Sequence, residues 1–344
     1  MKVQILDADY KMVNSHPVVR LFGKNEEGET VCVLDDDFRP YFYCLPEDEN
    51  SKEEILDLIE EEYSGAVENV EEVERHLPLT YDPEKKKVLK IVLRNPSLVR
   101  KMREYLRDKR PVKELYETDV LYKYRYLIDN DTGGMHWIDV DGKYVDTDVV
   151  DCKAIEAENI EPLDIKKNED LRYLSFDIEC IAEEEDRMVD AEKDPIVLIS
   201  CSFKPSYKGK DNMVLVAKSG NTSGRHFHNE EEMLEEFIEI LEDFDPDVIT
   251  GYNLQDFDLP YLVKRLRKHN LPRDFGRCEK DVYCNNYGSG TDVNIVGRVV
   301  ADPYIILKND VYHRMMRYDL NTVSEELLGE GKEDVEYEEM KELW

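Results

Sequence analysis

Two carboxylates separated by one residue stand inside an apolar stretch of this sequence. Asp177 and Glu179 alternate with Phe176 and Ile178, and this period of two predicts a buried β-strand. Side chains two positions apart on a strand point to the same face, so the two carboxylates would converge. Buried carboxylates need a cation, and oxygen ligands suit Mg²⁺ or Mn²⁺. An edge strand whose polar face meets water is the alternative interpretation.

A third carboxylate follows a second short apolar run. Residues 247–252 predict a strand that ends in a turn, and a helix with Pro260 in its first turn comes next. Asp258 would then lie where a strand end, a loop and a helix N-terminus meet, which is where open α/β sheets place their sites. A role of Asp258 as the cap of that helix would explain the pattern equally well.

Together the two segments, Phe-Asp-Ile-Glu and Tyr-Asn-x-x-x-Phe-Asp-x-Pro-Tyr-Leu, resemble the first two exonuclease motifs of family B DNA polymerases. The resemblance implies an RNase H-like domain that removes nucleotides from the 3′ end of DNA with two metal ions. It also implies that Asp177 bridges both ions, while Glu179 and Asp258 hold one each. Asn253 and Phe257 would contact the DNA.

A third motif of that family, Tyr-x-x-x-Asp, is not found after Asp258. By the resemblance it should follow shortly after Trp344, ahead of the polymerase palm, fingers and thumb. We therefore expect an N-terminal piece: a truncated chain, a subunit of a split polymerase, or a short protein that retains only uracil sensing. Because one metal ligand would be missing, we expect weak or absent nuclease activity from this chain alone.

The likeness extends over the whole chain and is closest to archaeal members of the family. In those members the N-terminal domain captures template uracil in a pocket of rings and apolar walls, with an arginine at the phosphate. Carried over by position, the pocket would be formed by Tyr10, Pro40, Tyr41, Pro96, Val99, Arg103, Val120 and Tyr122. An aromatic domain core is the alternative reading of these residues.

Composition bounds the class of protein. The 344 residues are 41% hydrophobic and 36% charged, which predicts a highly charged globular protein that is long enough for two domains. The resemblance implies an α/β protein with a mixed α+β N-terminal domain, residues 1–160, and an incomplete RNase H-like exonuclease domain, residues 161–344. No apolar run approaches the roughly 20 residues that span a bilayer. We expect a cytoplasmic protein with no membrane partner. The seven cysteines form no CxxC pair, so we expect reduced thiols and no zinc site.

The formal net charge of −33 opposes binding to DNA, because affinity for nucleic acid comes largely from cations that neutralise phosphates. One explanation is that the basic surface that binds DNA lies in the remaining polymerase domains or a second subunit. The other is that the acidic surface keeps the protein soluble in a salty cytoplasm. The expected partners are single-stranded or primer-template DNA, those other parts and, through them, a sliding clamp. The alternative is a stand-alone uracil-DNA binding protein with a vestigial, inactive nuclease fold. A free-standing exonuclease would leave the first 160 residues unexplained.

Local patterns predict the elements that position these residues. In the first domain, β-structure is predicted at 3–10, 16–22, 29–34 and 112–128, with an Asp-Gly hairpin turn at 140–144. A capping box at 51–54 opens a helix through 63, and a second helix follows Asn95-Pro96. The boundary between the domains is predicted within 156–170. In the second they are strands at 196–203 and 213–217, a loop at 182–193, helices after Asn229 and Pro260, a Gly-rich hairpin within 286–300, a helix ending at Gly329 and a further helix start at 337–344. Asp302 could approach the metal site or cap the element that follows it, and we favour the cap.

Overall fold

Residues 1–78, 84–182, 187–287, 290–312 and 314–331 are described by the computed structural model of this chain. It divides into an N-terminal unit, Met1–Asn168, and a C-terminal unit, Glu169–Trp344. The predicted helix start at 337–344 lies outside the described residues, as does part of the predicted loop at 182–193. Among the residues that are described, no helix has the length and apolar composition needed to span a bilayer. No disulfide joins any of the seven cysteines, all of which lie in the described residues.

The N-terminal unit contains nine strands and three helices within its described residues. In chain order they are β1 (Lys2–Val13), β2 (His16–Asn25), β3 (Thr30–Asp35), β4 (Tyr41–Pro46), α1 (Ser51–Tyr63), β5 (Val67–Arg75), β6 (Lys86–Leu93), α2 (Ser97–Leu106), β7 (Val112–Tyr116), α3 (Tyr122–Asp129), β8 (Trp137–Val145) and β9 (Lys153–Leu163). The strands predicted at 3–10, 16–22 and 29–34, and the helix after Pro96, are confirmed.

Five of these strands close into a barrel in the order β1-β2-β3-β9-β8, with β8 pairing back onto β1. Only β3 and β9 run parallel; the other neighbours are antiparallel. The barrel core contains Ile5, Leu21 and Ile138 together with two rings of α3, Tyr122 and Tyr126. Because β9 is part of the barrel, the chain divides after Asn168 rather than after residue 160, which lies inside that strand.

The other four strands form a separate antiparallel sheet in the order β5-β6-β4-β7, inserted between β3 and β8 of the barrel. The sequence of elements is strand, helix, strand, strand, helix, strand, the split β-α-β arrangement. Phe42 and Ile91 of the sheet pack with Ile55 of α1 and Met102 of α2 in one apolar cluster. Both helices therefore cover the same face of the sheet.

The prediction of β-structure through residue 128 was wrong beyond Tyr116, because residues 122–129 form α3. Tyrosines favour strands in isolation. Here Tyr122 and Tyr126 are four residues apart and both are buried in the barrel core. Two buried rings at this spacing share one face of a helix, so packing against the barrel overrides the local preference.

The predicted capping box at 51–54 is also wrong, although its helix is present with Ile55 and Ile59 buried. The N-cap is Asn50, and it makes no side-chain capping bond. Asp48 takes the role instead. Its Oδ1 accepts hydrogen bonds from the backbone amides of Asn50 and Ser51 and from the hydroxyl of Ser51, each at 2.9 Å.

The Asp-Gly pair at 141–142 does not make the predicted hairpin turn. Both residues lie within the continuous strand β8, where the pairing with β9 shifts register between Asp141 and Gly142. A Cβ added at Gly142 would lie 2.3 Å from the carbonyl oxygen of Glu156. The glycine is therefore required by the close approach of β9 at a bulge and not by a turn.

The C-terminal unit contains a mixed sheet, a hairpin and four helices in its described part. Its elements are β10 (Tyr173–Cys180), β11 (Ile196–Tyr207), β12 (Lys210–Val216), β13 (Arg225–His226), α4 (Glu230–Phe244), β14 (Val248–Thr250), α5 (Asp258–Lys268), β15 (Tyr283–Tyr287), β16 (Gly290–Asn294), β17 (Val299–Ala301), α6 (Pro303–Asn309) and α7 (Leu320–Leu328). The strands, the hairpin and the helices predicted for these regions are confirmed, with shifts at their ends.

The sheet has the order β13-β12-β11-β10-β14-β17. Strands β12, β11 and β10 are antiparallel, whereas β14 and β17 continue from β10 in parallel. Three antiparallel strands extended by parallel ones form the RNase H-like arrangement, and the predicted α/β class is confirmed. Asn229 is the N-cap of helix α4, and its side chain accepts the amide of Glu232. The ring of Phe237 in α4 packs against the ring of Phe176 in β10, with the ring centroids 5.1 Å apart.

We expect Gly142→Ala to lower the free energy of unfolding by about 1–3 kcal/mol, because the added carbon overpacks the bulge between β8 and β9. Urea denaturation of the full chain measures this change. Gly134→Ala is the matched control, since a Cβ there has no atom within 4 Å. Equal stability of the two variants would contradict a close-packing role for Gly142.

Candidate functional site

The first two predicted ligands lie on β10, which is paired on both sides by β11 and β14. Its apolar side chains Phe176 and Ile178 are buried, whereas Asp177 is exposed and Glu179 is half-buried. The strand is therefore not an edge strand, as the alternative interpretation supposed. The expectation of a buried carboxylate pair needs correction, because the polar face of β10 remains open.

Asp258 is the buried member of the set and the first residue of α5, with only 3% of its surface exposed. Its Oδ1 accepts a hydrogen bond of 3.1 Å from the backbone amide of Ile178, the residue between Asp177 and Glu179. The carboxylate of the second segment is thus docked onto the strand that carries the other two.

The electrostatics of Asp258 reflect this crowding of negative charge. Burial, and then the charge of Asp177, raise the pKa of Asp258 to about 7; Asp302 adds to the rise, and the Ile178 amide opposes it. A carboxyl group with such a pKa is only partly ionised at neutral pH. The site therefore holds excess negative charge that a cation would relieve.

The loop between β14 and α5 passes directly across β10. A Cβ added at Gly251 would lie 2.6 Å from the carbonyl oxygen of Phe176, so only glycine fits this crossing. Asn253 adopts a left-handed backbone with φ of 63°, a conformation that asparagine tolerates well. The tight crossing places Asn253 and the start of α5 beside the carboxylate strand.

Asp302 holds this loop in place. It caps α6 by accepting the amide of Tyr304 at 3.0 Å, so the predicted capping role is confirmed. Its two carboxylate oxygens also accept the amides of Asn253 and Gln255, each at 3.0 Å. The second role was not predicted, because nothing in the sequence links Asp302 to a loop some fifty residues earlier.

The side chain of Phe257 is 36% exposed, next to Asp258, with its ring centroid 5.5 Å from that of Tyr261. An exposed ring beside a carboxylate site offers a surface on which a nucleobase can stack. Asn253 also lines an open groove of about 580 Å³ with Tyr304 and Arg317. Both predicted DNA contacts of this segment are therefore accessible.

A buried ion cluster that the sequence analysis missed fixes the other end of β14. Asp247 is fully buried and is bound by the guanidinium of Arg277 at 2.6 Å and by the backbone amide of Arg172 at 2.8 Å. Burial would raise the pKa of Asp245, but the guanidiniums of Arg277 and Arg298 hold it down at about 2. The partners are far apart in sequence, so no local pattern indicates the cluster.

The residues present fit a divalent cation by their chemistry. In the described part of the chain, no three His, Cys, Asp or Glu side chains are close enough to one another to hold a metal ion. The donor set nevertheless consists of carboxylate oxygens, which hard cations prefer. The charge of Asp177 already acts on Asp258. Asp177, Glu179 and Asp258 are the residues that would hold Mg²⁺ or Mn²⁺.

The residues predicted for the uracil pocket fall into separate groups in the N-terminal unit. Tyr10 and Tyr122 touch each other, with ring centroids 5.0 Å apart, and both belong to the barrel core. Tyr41 lies on the inserted sheet, where its hydroxyl donates to Asp129 at 2.7 Å and accepts from Arg125 at 3.3 Å. Burial raises the pKa of Tyr122 above its usual range.

The remaining pocket residues lie on or beside α2 and α3. Pro96 is the N-cap of α2, Val99 packs against the apolar cluster under the sheet, and Arg103 lies in the last turn of α2. The carbonyl of Pro40 accepts the amide of Leu93 at 2.8 Å. Val120 is half-buried just before α3. Among the described residues, no hydrogen bond or ring contact joins the barrel pair, Tyr41 and the α2 residues.

Comparison with known proteins places these observations in a family. The sequence profile described as DNA polymerase family B, exonuclease domain, matches residues 113–323. The DNA polymerase of Pyrococcus glycovorans is 29% identical over 99% of this chain and 38% of its own length. The DNA polymerase catalytic subunit of Saimiriine herpesvirus 2 is 30% identical over 95% of this chain and 35% of its own.

A solved structure gives the same result. The family B DNA polymerase of the hyperthermophilic archaeon Pyrobaculum calidifontis matches 90% of this chain and 37% of its own, with 29% identity and a TM-score of 0.75. This chain therefore spans well under half of the length of these relatives. Their similarity covers both units, because the matched share of this chain is 90% or more.

We expect Asp258→Asn to stabilise the metal-free protein, and to do so more at higher pH. Asparagine keeps an oxygen that can accept the Ile178 amide but carries no charge. Because the folded-state pKa of Asp258 is raised to about 7, the wild type loses stability as pH rises from about 4 through about 7. The advantage of the variant should grow by about 2–3 kcal/mol between about pH 5 and pH 8.

Urea denaturation in the presence of a chelator measures this difference at both pH values. Asp292→Asn removes an exposed carboxylate from β16. Its free energy of unfolding should change between the two pH values by the same amount as that of the wild type. A constant difference between Asp258→Asn and wild type at both pH values would show that Asp258 is ionised normally.

Proposed function

The chain belongs to the family B DNA polymerases, and from this premise we propose that it forms the proofreading and template-binding part of a DNA polymerase. The hydrogen bond from the Ile178 amide to Asp258 carries the proposal for the C-terminal unit, because it brings the carboxylates of two separate segments to one strand. The substrate is the 3′ end of single-stranded or frayed primer-template DNA, and the reaction is hydrolysis of its terminal phosphodiester.

Different residues of this chain bind the metal ions, stack on a base and contact the end of the DNA strand. Bound Mg²⁺ or Mn²⁺ ions would supply Lewis acidity at the scissile phosphate and neutralise its charge. Asp177, Glu179 and Asp258 hold the ions. The exposed ring of Phe257 stacks on a base. Asn253, whose backbone amide donates a hydrogen bond to Asp302, contacts the 3′ end of the DNA strand.

Other parts of a polymerase complete this function in our proposal. The relatives are two to three times as long as this chain, since it covers between 35% and 38% of those compared. We assign nucleotide addition, a third exonuclease motif and contact with a sliding clamp to further polymerase domains or a second subunit. The net charge of −33 supports this division, because DNA affinity then comes mainly from elsewhere.

We expect Mn²⁺ to raise the melting temperature of the chain through the carboxylate site, and Asp177→Ala to remove most of that shift. Hydrolysis of single-stranded DNA by the purified chain should be slow or absent, and Asp177→Ala should abolish any that is seen. Asp292→Asn, with the same loss of one charge, should keep the shift. An equal Mn²⁺ shift in Asp177→Ala would contradict the proposal. Robust degradation by the wild type would contradict the expectation that other parts of a polymerase are needed to complete the site.

For the N-terminal unit we propose binding of the template strand and recognition of uracil in it. Tyr41 supports this role, because it lines a cavity of about 420 Å³ next to Arg125. Arg125 is positioned by Tyr41 and Glu117. Tyr10, Pro40, Pro96, Val99, Arg103, Val120 and Tyr122 remain the proposed partners of Tyr41 in this task.

We expect a single-stranded oligonucleotide with one uracil to bind more tightly than its thymine twin, and Tyr41→Ala to remove the difference. Fluorescence anisotropy at one fixed salt concentration measures both affinities. Tyr63→Ala, which removes a ring of α1 that packs edge-on against Tyr105, should retain the preference. Equal affinity of the wild type for both oligonucleotides would mean that these rings serve only as part of the domain core.

The alternative function is a stand-alone uracil-DNA binding protein with a vestigial nuclease fold. It predicts the uracil preference without any Mn²⁺ shift at the carboxylate site. The two experiments above therefore separate the alternative from the proofreading proposal.

A further inference from the structure

The strand that carries Glu179 pairs irregularly with its neighbour just beyond that residue. Up to Glu179, which lies opposite Leu198, the register of β10 and β11 is regular. The next residue, Cys180, lies opposite Ile196, so Val197 is an extra residue on β11. The side chains of Ile196 and Val197 are both buried, which breaks the alternation of the strand. A β-bulge of this kind bends its strand and re-aims nearby side chains.

The bulge is bonded to a buried ion pair. Glu230, the first residue of α4, is 7% exposed, and its Oε1 accepts the backbone amide of Ile196 at 2.8 Å. Arg265 of α5 is 3% exposed; its Nε donates to the same oxygen at 2.8 Å, and its Nη2 donates to Oε2. Burial would raise the pKa of Glu230, but the bonds from Arg265 and the Ile196 amide hold it below its usual value. The carboxylate is therefore ionised at neutral pH.

Helix α5 links this ion pair to the carboxylate site. Arg265 follows Asp258 by seven residues, so the two side chains lie two turns apart on one face of α5. Asp258 accepts the amide of Ile178 in β10 at 3.1 Å, whereas Arg265 reaches β11 through Glu230. One face of α5 is thus bonded to the sheet at the residue before Glu179 and at the bulge that follows it.

Further bonds from α5 hold the chain that leads into the bulge. The hydroxyl of Tyr261 donates to the carbonyl of Asp194 at 2.9 Å and interacts with the thiol of Cys180, the last residue of β10. Nη1 of Arg265 donates to the carbonyl of Ala191 at 3.0 Å. The end of β10 and the start of β11 are therefore both fixed to the same helix.

We propose that Glu230 and Arg265 are positioning residues of the exonuclease site, which hold the bulge at Val197 so that the carboxylate of Glu179 is directed at the metal ions. The inference rests on the proposed exonuclease function and adds two residues that are too deeply buried to contact DNA. A buried ion pair adds little stability compared with apolar residues of similar volume. Its contribution here is the fixed direction of its hydrogen bonds, because one of them ends on the bulge itself.

The test is the affinity of the full chain for Mn²⁺, measured by titration with electron paramagnetic resonance of the free ion. We expect Glu230→Gln to weaken this affinity roughly 10-fold, the lower end of the loss that follows removal of an outer partner of a metal ligand. Glutamine can still accept an amide, but it leaves Arg265 buried without its counter-charge. Unchanged affinity in Glu230→Gln would overturn the proposal.

A double-mutant cycle separates positioning from a general weakening of the fold. Because Glu230 acts through Glu179 in this proposal, Glu230→Gln should have almost no further effect on Mn²⁺ affinity in a chain that already carries Glu179→Ala. A purely structural role predicts the same loss in both backgrounds. Losses that add in the double variant would therefore overturn the proposal.

The matched control is Glu236→Gln, the same substitution on the same helix. Glu236 also pairs with an arginine, Arg225, but this partner lies on β13, three strands away from β10. Mn²⁺ affinity should remain at the wild-type value in this variant. An equal loss in Glu236→Gln and Glu230→Gln would show that the effect has nothing to do with the bulge.

Melting temperatures in the presence of a chelator show which variants are folded. If Glu230→Gln does not fold, Arg265→Lys takes its place. It keeps both charges but loses the fork of donors, so it should weaken Mn²⁺ affinity by a smaller factor, and unchanged affinity would again overturn the proposal.

Failure of this inference can be told apart from failure of the proposed exonuclease function. Loss of Mn²⁺ affinity in Asp177→Ala without any loss in Glu230→Gln would overturn the positioning role alone. Absence of Mn²⁺ binding by the wild type would overturn both the metal site and the residues proposed to position it.

Discussion

A single buried hydrogen bond, from the amide of Ile178 to the carboxylate of Asp258, determines how the C-terminal unit is built around its site. It requires that α5 begin against the middle of β10, and therefore that the preceding loop cross that strand at Gly251. The buried pair of Arg277 and Asp247 secures the other end of β14. The burial of Asp258 in this arrangement, and then the nearby charge of Asp177, raise the pKa of Asp258.

Much of this arrangement could be predicted from the sequence, because it depends on local patterns. The alternation around Asp177 specifies a strand, and Pro260 marks a helix start. The family resemblance is confirmed by the matched profile. The bonds from Asp302 to the motif loop could not be predicted, since they join segments that only the folded sheet brings together. Helix α3 was missed for the same reason: its rings fit a barrel core that the local sequence does not contain.

The two units handle charge in opposite ways. In the C-terminal unit Asp177 and Glu179 lie on one strand and Asp258, from the start of α5, is bonded to that strand, which concentrates negative charge there. In the N-terminal unit the cations of Arg75 and Lys90 lie over the rings of Tyr43 and Tyr41, even though the whole chain carries a net charge of −33. Local placement of a few side chains, rather than overall charge, therefore sets the charge at each of these sites.

The barrel of the N-terminal unit is interrupted by the inserted sheet, and this determines the order in which the chain is able to fold during synthesis. Strands β1 to β3 leave the ribosome first, but β3 has no parallel partner until β9 is made, up to Leu163. By then the inserted sheet, which ends at Tyr116, has been synthesised in full and includes every residue of its own apolar cluster. The nascent chain thus carries a folded insertion on an open three-stranded ribbon, and both edges of that ribbon, β1 and β3, stay unpaired until β8 and β9 are made.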